Sequence, residues 1–116
     1  MSELKSMVAE LVERINASPE MLAVIRDWVD GYNGKTIGFK TPEGTFYVTF
    51  SEKARMNEGE PASFDLMLLS DEETIIDGLF NDPTKMRQYL KQGTVVIWGN
   101  LHELLKFAEI VVLSRS

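Results

Sequence analysis

Hydrolysis or group transfer needs a nucleophile held beside a base, and this chain supplies one histidine and no cysteine. His102 stands at the start of the apolar C-terminal segment, with no serine or acid at a spacing that suggests a relay, so it reads as a first-turn surface histidine. One histidine also leaves a zinc ion with carboxylates alone, and neither a metal nor a cofactor is expected. Asp71-Glu72-Glu73 would attract a cation, but the same residues sit at a predicted helix start, where the dipole favours carboxylates. The glycines at 31, 34, 38, 44, 59, 78, 93 and 99 are scattered over turns and build no phosphate cradle between strand and helix. The expectation is a protein that is not an enzyme.

The chemistry that does stand out is surplus apolar surface near the C-terminus. At about 100° per residue, Leu101, Leu104, Leu105, Ala108, Val111 and Val112 fall on one face of a helix, and Phe107, Ile110 and Leu113 fall on the opposite side. A helix that is apolar all round must be buried or partnered. Three coverings are open: a lipid tail, the same helix of a second copy, or a neighbouring part of this chain. The β-branched run Ile110-Val111-Val112 adds a fourth reading, in which the last turn frays.

These residues need elements to position them. Leu4, Met7, Val8, Leu11, Val12 and Ile15 recur at three and four residue spacing, which predicts a helix from about Ser2 to Asn16. Ser18-Pro19 starts a second helix carrying Met21, Leu22, Ile25, Trp28 and Val29 and stopped by Gly31. From Gly34 the period changes to two. Thr36 to Lys40 and Phe46 to Phe50 form a hairpin around Pro42-Glu43-Gly44, with a short edge strand at Ala54 to Asn57. Phe64 to Leu69 is apolar on both sides and is expected inside the sheet with both faces covered. Ser70 and Glu73 form a capping box for a helix with Ile75, Ile76, Leu79 and Phe80. Asp82-Pro83 opens another with Met86, Tyr89 and Leu90, ended by Gly93. Thr94 to Trp98 is the last strand, and Asn100 with Glu103 caps the last helix.

Size and charge narrow the function. At 116 residues the chain is one domain spanning residues 1–116. Its first residues, MSELKSMVAELVERI, form neither a signal peptide nor a membrane span, so a cytoplasmic protein is expected. A net charge of −6 argues against nucleic acid as a partner, since backbone binding needs a basic footprint. The charge is unevenly distributed. Residues 1–84 carry 7 Lys/Arg against 16 Asp/Glu, a net of −9, whereas residues 85–116 carry 5 against 2, a net of +3. The apolar helix therefore lies at the basic end, suited to anionic lipid or a phosphate-bearing ligand.

The order of signals resembles that of the sterol carrier protein 2 domain family. The matching stretches are Gly34 to Phe39, Thr45 to Phe50, Glu58-Gly59-Glu60-Pro61, Phe64 to Glu72, Asn81-Asp82-Pro83 and Gly93 to Asn100. The chain departs from the family's usual phenylalanine and small residue before the strand-preceding glycine, carrying Tyr89-Leu90-Lys91-Gln92. It also ends Ser114-Arg115-Ser116, without a Ser-Lys-Leu peroxisomal address. The resemblance implies an α/β (α+β) fold in which a mixed, mostly antiparallel five-stranded sheet packs with about five helices around a hydrophobic tunnel. It further implies a carrier of fatty acid, fatty acyl-CoA, sterol or isoprenoid lipid, the C-terminal helix forming part of the tunnel.

The expected ligand-binding residues are Phe39, Phe46 and Phe50 from the hairpin and Leu66 and Leu68 from the fourth strand. Met86, Tyr89 and Trp98 follow, and Leu104, Phe107, Ala108, Val111 and Val112 come from the last helix. Tyr89 is expected to supply a polar contact, and Lys85, Lys91 and Lys106 to meet an anionic headgroup. Besides the hydrophobic ligand, the partners expected are a transient membrane contact and a homodimer through the C-terminal helix, with Phe107, Ile110 and Leu113 at its two-fold interface. The competing expectation is a structural or dimerisation module with the same fold and no lipid cargo.

Overall fold

The computed structural model describes residues 2–29 and 34–115. Two helices come first. In α1, Glu3–Ala17, the Ser2 side chain accepts from the Lys5 amide, and Leu4, Val8, Leu11 and Ile15 are buried on one stripe. The Ser18 hydroxyl accepts from the Met21 amide to start α2, Pro19–Trp28, which buries Met21 and Ile25. The predicted stop at Gly31 lies outside the described residues.

Strands β1, Lys35–Thr41, β2, Gly44–Phe50, and β3, Ala54–Glu58, form an antiparallel meander. The chain then crosses to the far side of β1, where β4, Leu66–Leu69, pairs with it in parallel and β5, Val96–Gly99, pairs antiparallel with β4. The five-stranded order is β3-β2-β1-β4-β5. Between β4 and β5 come α3, Glu72–Ile76, a π-helical turn from Asp77 to Asn81, and α4, Thr84–Gln92; α5, Leu101–Ser114, closes the chain. The fold class expected from the sequence is the one observed.

Alternation along the strands separates the faces. Ile37, Phe39, Phe46, Val48, Phe50, Leu66 and Leu68 are fully buried on the helix side. Phe39 stacks on Phe46 at 4.9 Å between ring centroids, and Phe107 of α5 meets Phe39 and Phe50, each at 6.0 Å. On the other face Met67 is buried over Gly38, where an added Cβ would lie 2.5 Å from the Met67 sulfur. Trp98, the cross-strand partner of Met67, stacks on Phe64 at 6.5 Å and stays 48% exposed.

Several local expectations need correction. The fourth strand starts at Leu66 and not at Phe64; Asp65, just before it, is tied to β1, its amide donating to the Thr36 carbonyl and its carboxylate accepting from the Thr36 amide. Asp71, and not Ser70, caps α3 by accepting from the Thr74 amide, which holds its carboxyl below the usual value; Ser70 donates its hydroxyl to the Thr94 carbonyl. The fifth strand runs from Val96 and not from Thr94. Asn100 caps α5 as expected, accepting from the His102 amide at 2.8 Å, but Glu103 does not close a capping box. It turns inward to Lys35 at 2.8 Å, and both groups are buried.

Candidate functional site

The placement of α5 begins at Gly99. Its φ of 115° lies in the left-handed region, and a Cβ there would stand 2.3 Å from the Asp65 carbonyl oxygen. That corner turns the chain out of β5 and, with the Lys35–Glu103 ion pair and the Asn100 cap, sets which side of α5 meets the sheet. The inward residues are Glu103, Leu104, Phe107, Ile110 and Val111. Phe107 and Ile110 are both 0% exposed, whereas Leu101 is 49%, Leu105 60% and Val112 48% exposed. The face left to solvent is thus Leu101, Leu105, Ala108 and Val112. Of the stripe expected to face a second copy, this chain covers Phe107 and Ile110 itself, so those two are unavailable for a two-fold contact, whereas Leu113 is exposed.

Alongside the solvent face runs α4, amphipathic over nine residues, with Met86 its one buried side chain. Gly93, at φ 76°, ends it with its amide donating to the Leu90 carbonyl. Between α4 and α5 lies a groove of about 660 Å³, lined by Met86, Leu90, Leu101, Leu104, Leu105 and Ala108. Pro83, Thr84, Arg87 and Lys91 complete its wall. Such a space is of the size that takes a small apolar ligand, and its chemistry is that of solvation: it removes hydrocarbon from water and offers two guanidinium or ammonium groups at one side.

The expected site residues divide into three places. Met86, Leu104 and Ala108 line the groove, and Val112 continues its stripe along α5. Phe39, Phe46, Phe50, Leu66, Leu68, Phe107 and Val111 are buried on the helix side of the sheet, where the aromatic rings pack on one another and the apolar groove opens elsewhere, between two helices. Trp98 lies on the opposite face of the sheet. The sequence-based residue set omitted Leu90, Leu101, Leu105 and Arg87. The helical wheel had already grouped Leu101 and Leu105 with Leu104 and Ala108, and exposure on that face was the missing information.

Tyr89 does not enter the groove. It lines a second concavity of about 770 Å³ with Glu3, Glu43, Asp71, Glu72, Glu73 and Asp77. Its hydroxyl donates to the Asp77 carboxylate. This bond is the main reason the Asp77 carboxyl is held below its ordinary value, with Lys85 at 3.3 Å adding to it, and the Tyr89 phenol is pushed up for the same reason. Lys85 is therefore engaged with Asp77, and Lys106 approaches Glu109 at 3.8 Å. Of the three lysines expected near a headgroup, Lys91 borders the groove. Among the described residues no group of acids and histidine is arranged to hold a metal, and no described helix is long and apolar enough to cross a membrane.

No family model and no curated protein matches the chain in sequence. Solved structures do match in shape. A ubiquinone synthesis protein described as UbiJ-SCP2 superposes with a TM-score of 0.74 over 96% of this chain and 94% of that one, at 13% identity. The fold is that of the sterol carrier protein 2 domain. The palmitated SCP2L2 of Aedes aegypti shares it with a TM-score of 0.57 at 19% identity, covering 96% of this chain and 95% of its own. The sec-alkylsulfatase Pisa1 of Pseudomonas sp. contains a similar unit, with a TM-score of 0.59 and 15% identity over 80% of this chain but 16% of the sulfatase. The sterol carrier protein 2 fold thus occurs both as a whole small protein and as a minor part of an enzyme.

Proposed function

We propose that this chain is a non-catalytic binder of a long-chain hydrophobic molecule, whose tail lies in the groove between α4 and α5. The observation that carries the reading is the outward apolar face of α5: Leu101 and Leu105, 49% and 60% exposed, stand beside the amphipathic α4 and a space of about 660 Å³. Contiguous exposed apolar surface marks an interaction site. Each buried CH₂ gives roughly 0.8 kcal/mol, so a tail of about fifteen methylenes offsets the entropic cost of binding without any strong polar contact. Loose specificity follows, and Met86 adds an adaptable wall.

A fatty acid, fatty acyl-CoA, sterol or isoprenoid lipid would suit the groove. The fold's occurrence in a palmitated carrier and in a protein named for ubiquinone synthesis supports the acyl and isoprenoid classes. Native mass spectrometry of the purified protein, with organic extraction, tests the proposal directly. Palmitic acid, palmitoyl-CoA, cholesterol and a polyprenyl benzoquinone are the added probes. One of them at a hundredfold excess over its Kd should stabilise the chain by about 2.7 kcal/mol. If extraction recovers no lipid and all four leave the melting temperature unchanged, the proposal fails. The exposed stripe of α5 also favours one alternative, a dimer module in which Leu101, Leu105 and Val112 replace the buried Phe107 and Ile110; an empty, stable dimer held by those three residues would establish it.

A further inference from the structure

The groove has an electrostatic setting that cargo binding does not use. Arg87 and Lys91 are exposed on α4 beside it, and neither takes part in an ion pair among the described residues. The two acids of residues 85–116 do little to cancel them: Glu103 is buried against Lys35, and Glu109 lies 3.8 Å from Lys106. A basic, apolar face has thus been kept on a chain whose net charge is −6.

We propose that the α4–α5 face docks on an anionic lipid bilayer, with Leu101, Leu105 and Val112 entering the interface and Arg87 and Lys91 meeting headgroup phosphates. Charge selects this occupant over a second copy. A two-fold contact through the stripe would gather two Arg87 and two Lys91 side chains into one interface, whereas an anionic bilayer attracts all of them. Docking this way brings the mouth of the groove to the lipid phase. The proposal shares the groove with the cargo reading but does not depend on cargo being held.

Flotation of the full chain with vesicles tests it. Vesicles of phosphatidylcholine alone should carry little protein, and vesicles mixed with phosphatidylglycerol should carry it in low salt and release it in high salt. Each basic side chain near an anionic surface multiplies binding roughly fivefold, so R87Q/K91Q should weaken partitioning roughly thirtyfold. Leu105→Asp should abolish it, while K53Q/R55Q, distant in sequence on and before β3, should leave it unchanged. Binding of hexadecanol, an uncharged probe of the groove, is measured in parallel on the unmodified chain, and K53Q/R55Q, outside the groove lining, should retain it. Hexadecanol binding without vesicle binding overturns docking and leaves the cargo reading standing. Vesicle binding with no hexadecanol bound supports docking and counts against the cargo reading. A dimer that Leu105→Asp dissociates, with no flotation on anionic vesicles, overturns docking in favour of a second copy.

Discussion

At the scale of single residues, glycines and one hydrogen bond make the sharpest claims. Gly99→Ala places a Cβ 2.3 Å from the rigid Asp65 carbonyl at a φ of 115°, so the backbone corner must move; the loss should be about 2 to 4 kcal/mol in denaturant unfolding. At Gly38 the clash is with the mobile end of Met67, and alanine there should cost about 1 kcal/mol, the contrast being the test. Tyr89→Phe removes the hydroxyl that holds the Asp77 carboxyl low, so the Asp77 titration followed by NMR should move up toward 3.8. The sign of the stability effect follows. A depressed folded-state pKa contributes stability above the unfolded value and loses it as pH falls through the folded one, so the variant should lack part of the wild type's stability near neutrality and lose less of it below about pH 4. None of this was legible from sequence. Tyr89 looked like a pocket residue because its periodicity put it beside Met86, and a wheel drawn for one helix does not show that Asp77 stands opposite.

Elements were the most legible scale, and their failures have one cause. The period-two run Phe46 to Phe50 and the three-to-four spacing of Leu4 to Ile15 reappear as β2 and α1, because alternation and helical repeat follow directly from backbone geometry. What a local pattern omits is which side faces the core when two sides are apolar. In α5 that choice is made by non-local partners: Lys35 on β1, which draws Glu103 inward, and Phe39 and Phe50, which receive Phe107. Two substitutions on this helix should therefore behave oppositely. Phe107→Ala opens a cavity among stacked rings and should cost about 3 to 5 kcal/mol, whereas Leu105→Asp, on a side chain 60% exposed, should leave stability within about 0.5 kcal/mol and abolish ligand binding. Lys35→Met strands the Glu103 carboxylate and should cost about 3 to 5 kcal/mol, while K35M/E103L should recover most of it. A double-mutant cycle by chemical denaturation measures that coupling directly.

For the whole molecule, the parallel pairing of β1 with β4 is the topological fact from which the site follows. It carries the chain across the sheet after β3, so that α3, α4 and α5 are all delivered after the core meander is complete. The ordered turn signals made this arrangement readable as a sterol carrier protein 2 type of fold, although the position of the apolar space depended on how tightly four phenylalanines pack. Stability is then unequal across the molecule. The strands and the inner face of α5 share one continuous core, but α4 buries Met86 alone and its main packing is against the π-helical turn before it. An element with so little buried apolar surface opens at lower free energy than the core. A tail entering the groove would touch α4 and the outer face of α5 together and so stabilise the weaker of the two. Hydrogen exchange should accordingly show the amides of residues 84–92 exchanging well before those of β1, β2 and the middle of α5, and loading with a long-chain ligand should slow residues 84–92 most. Uniform protection on loading would place the ligand within the global core, and no protection of α4 would remove the groove as its site.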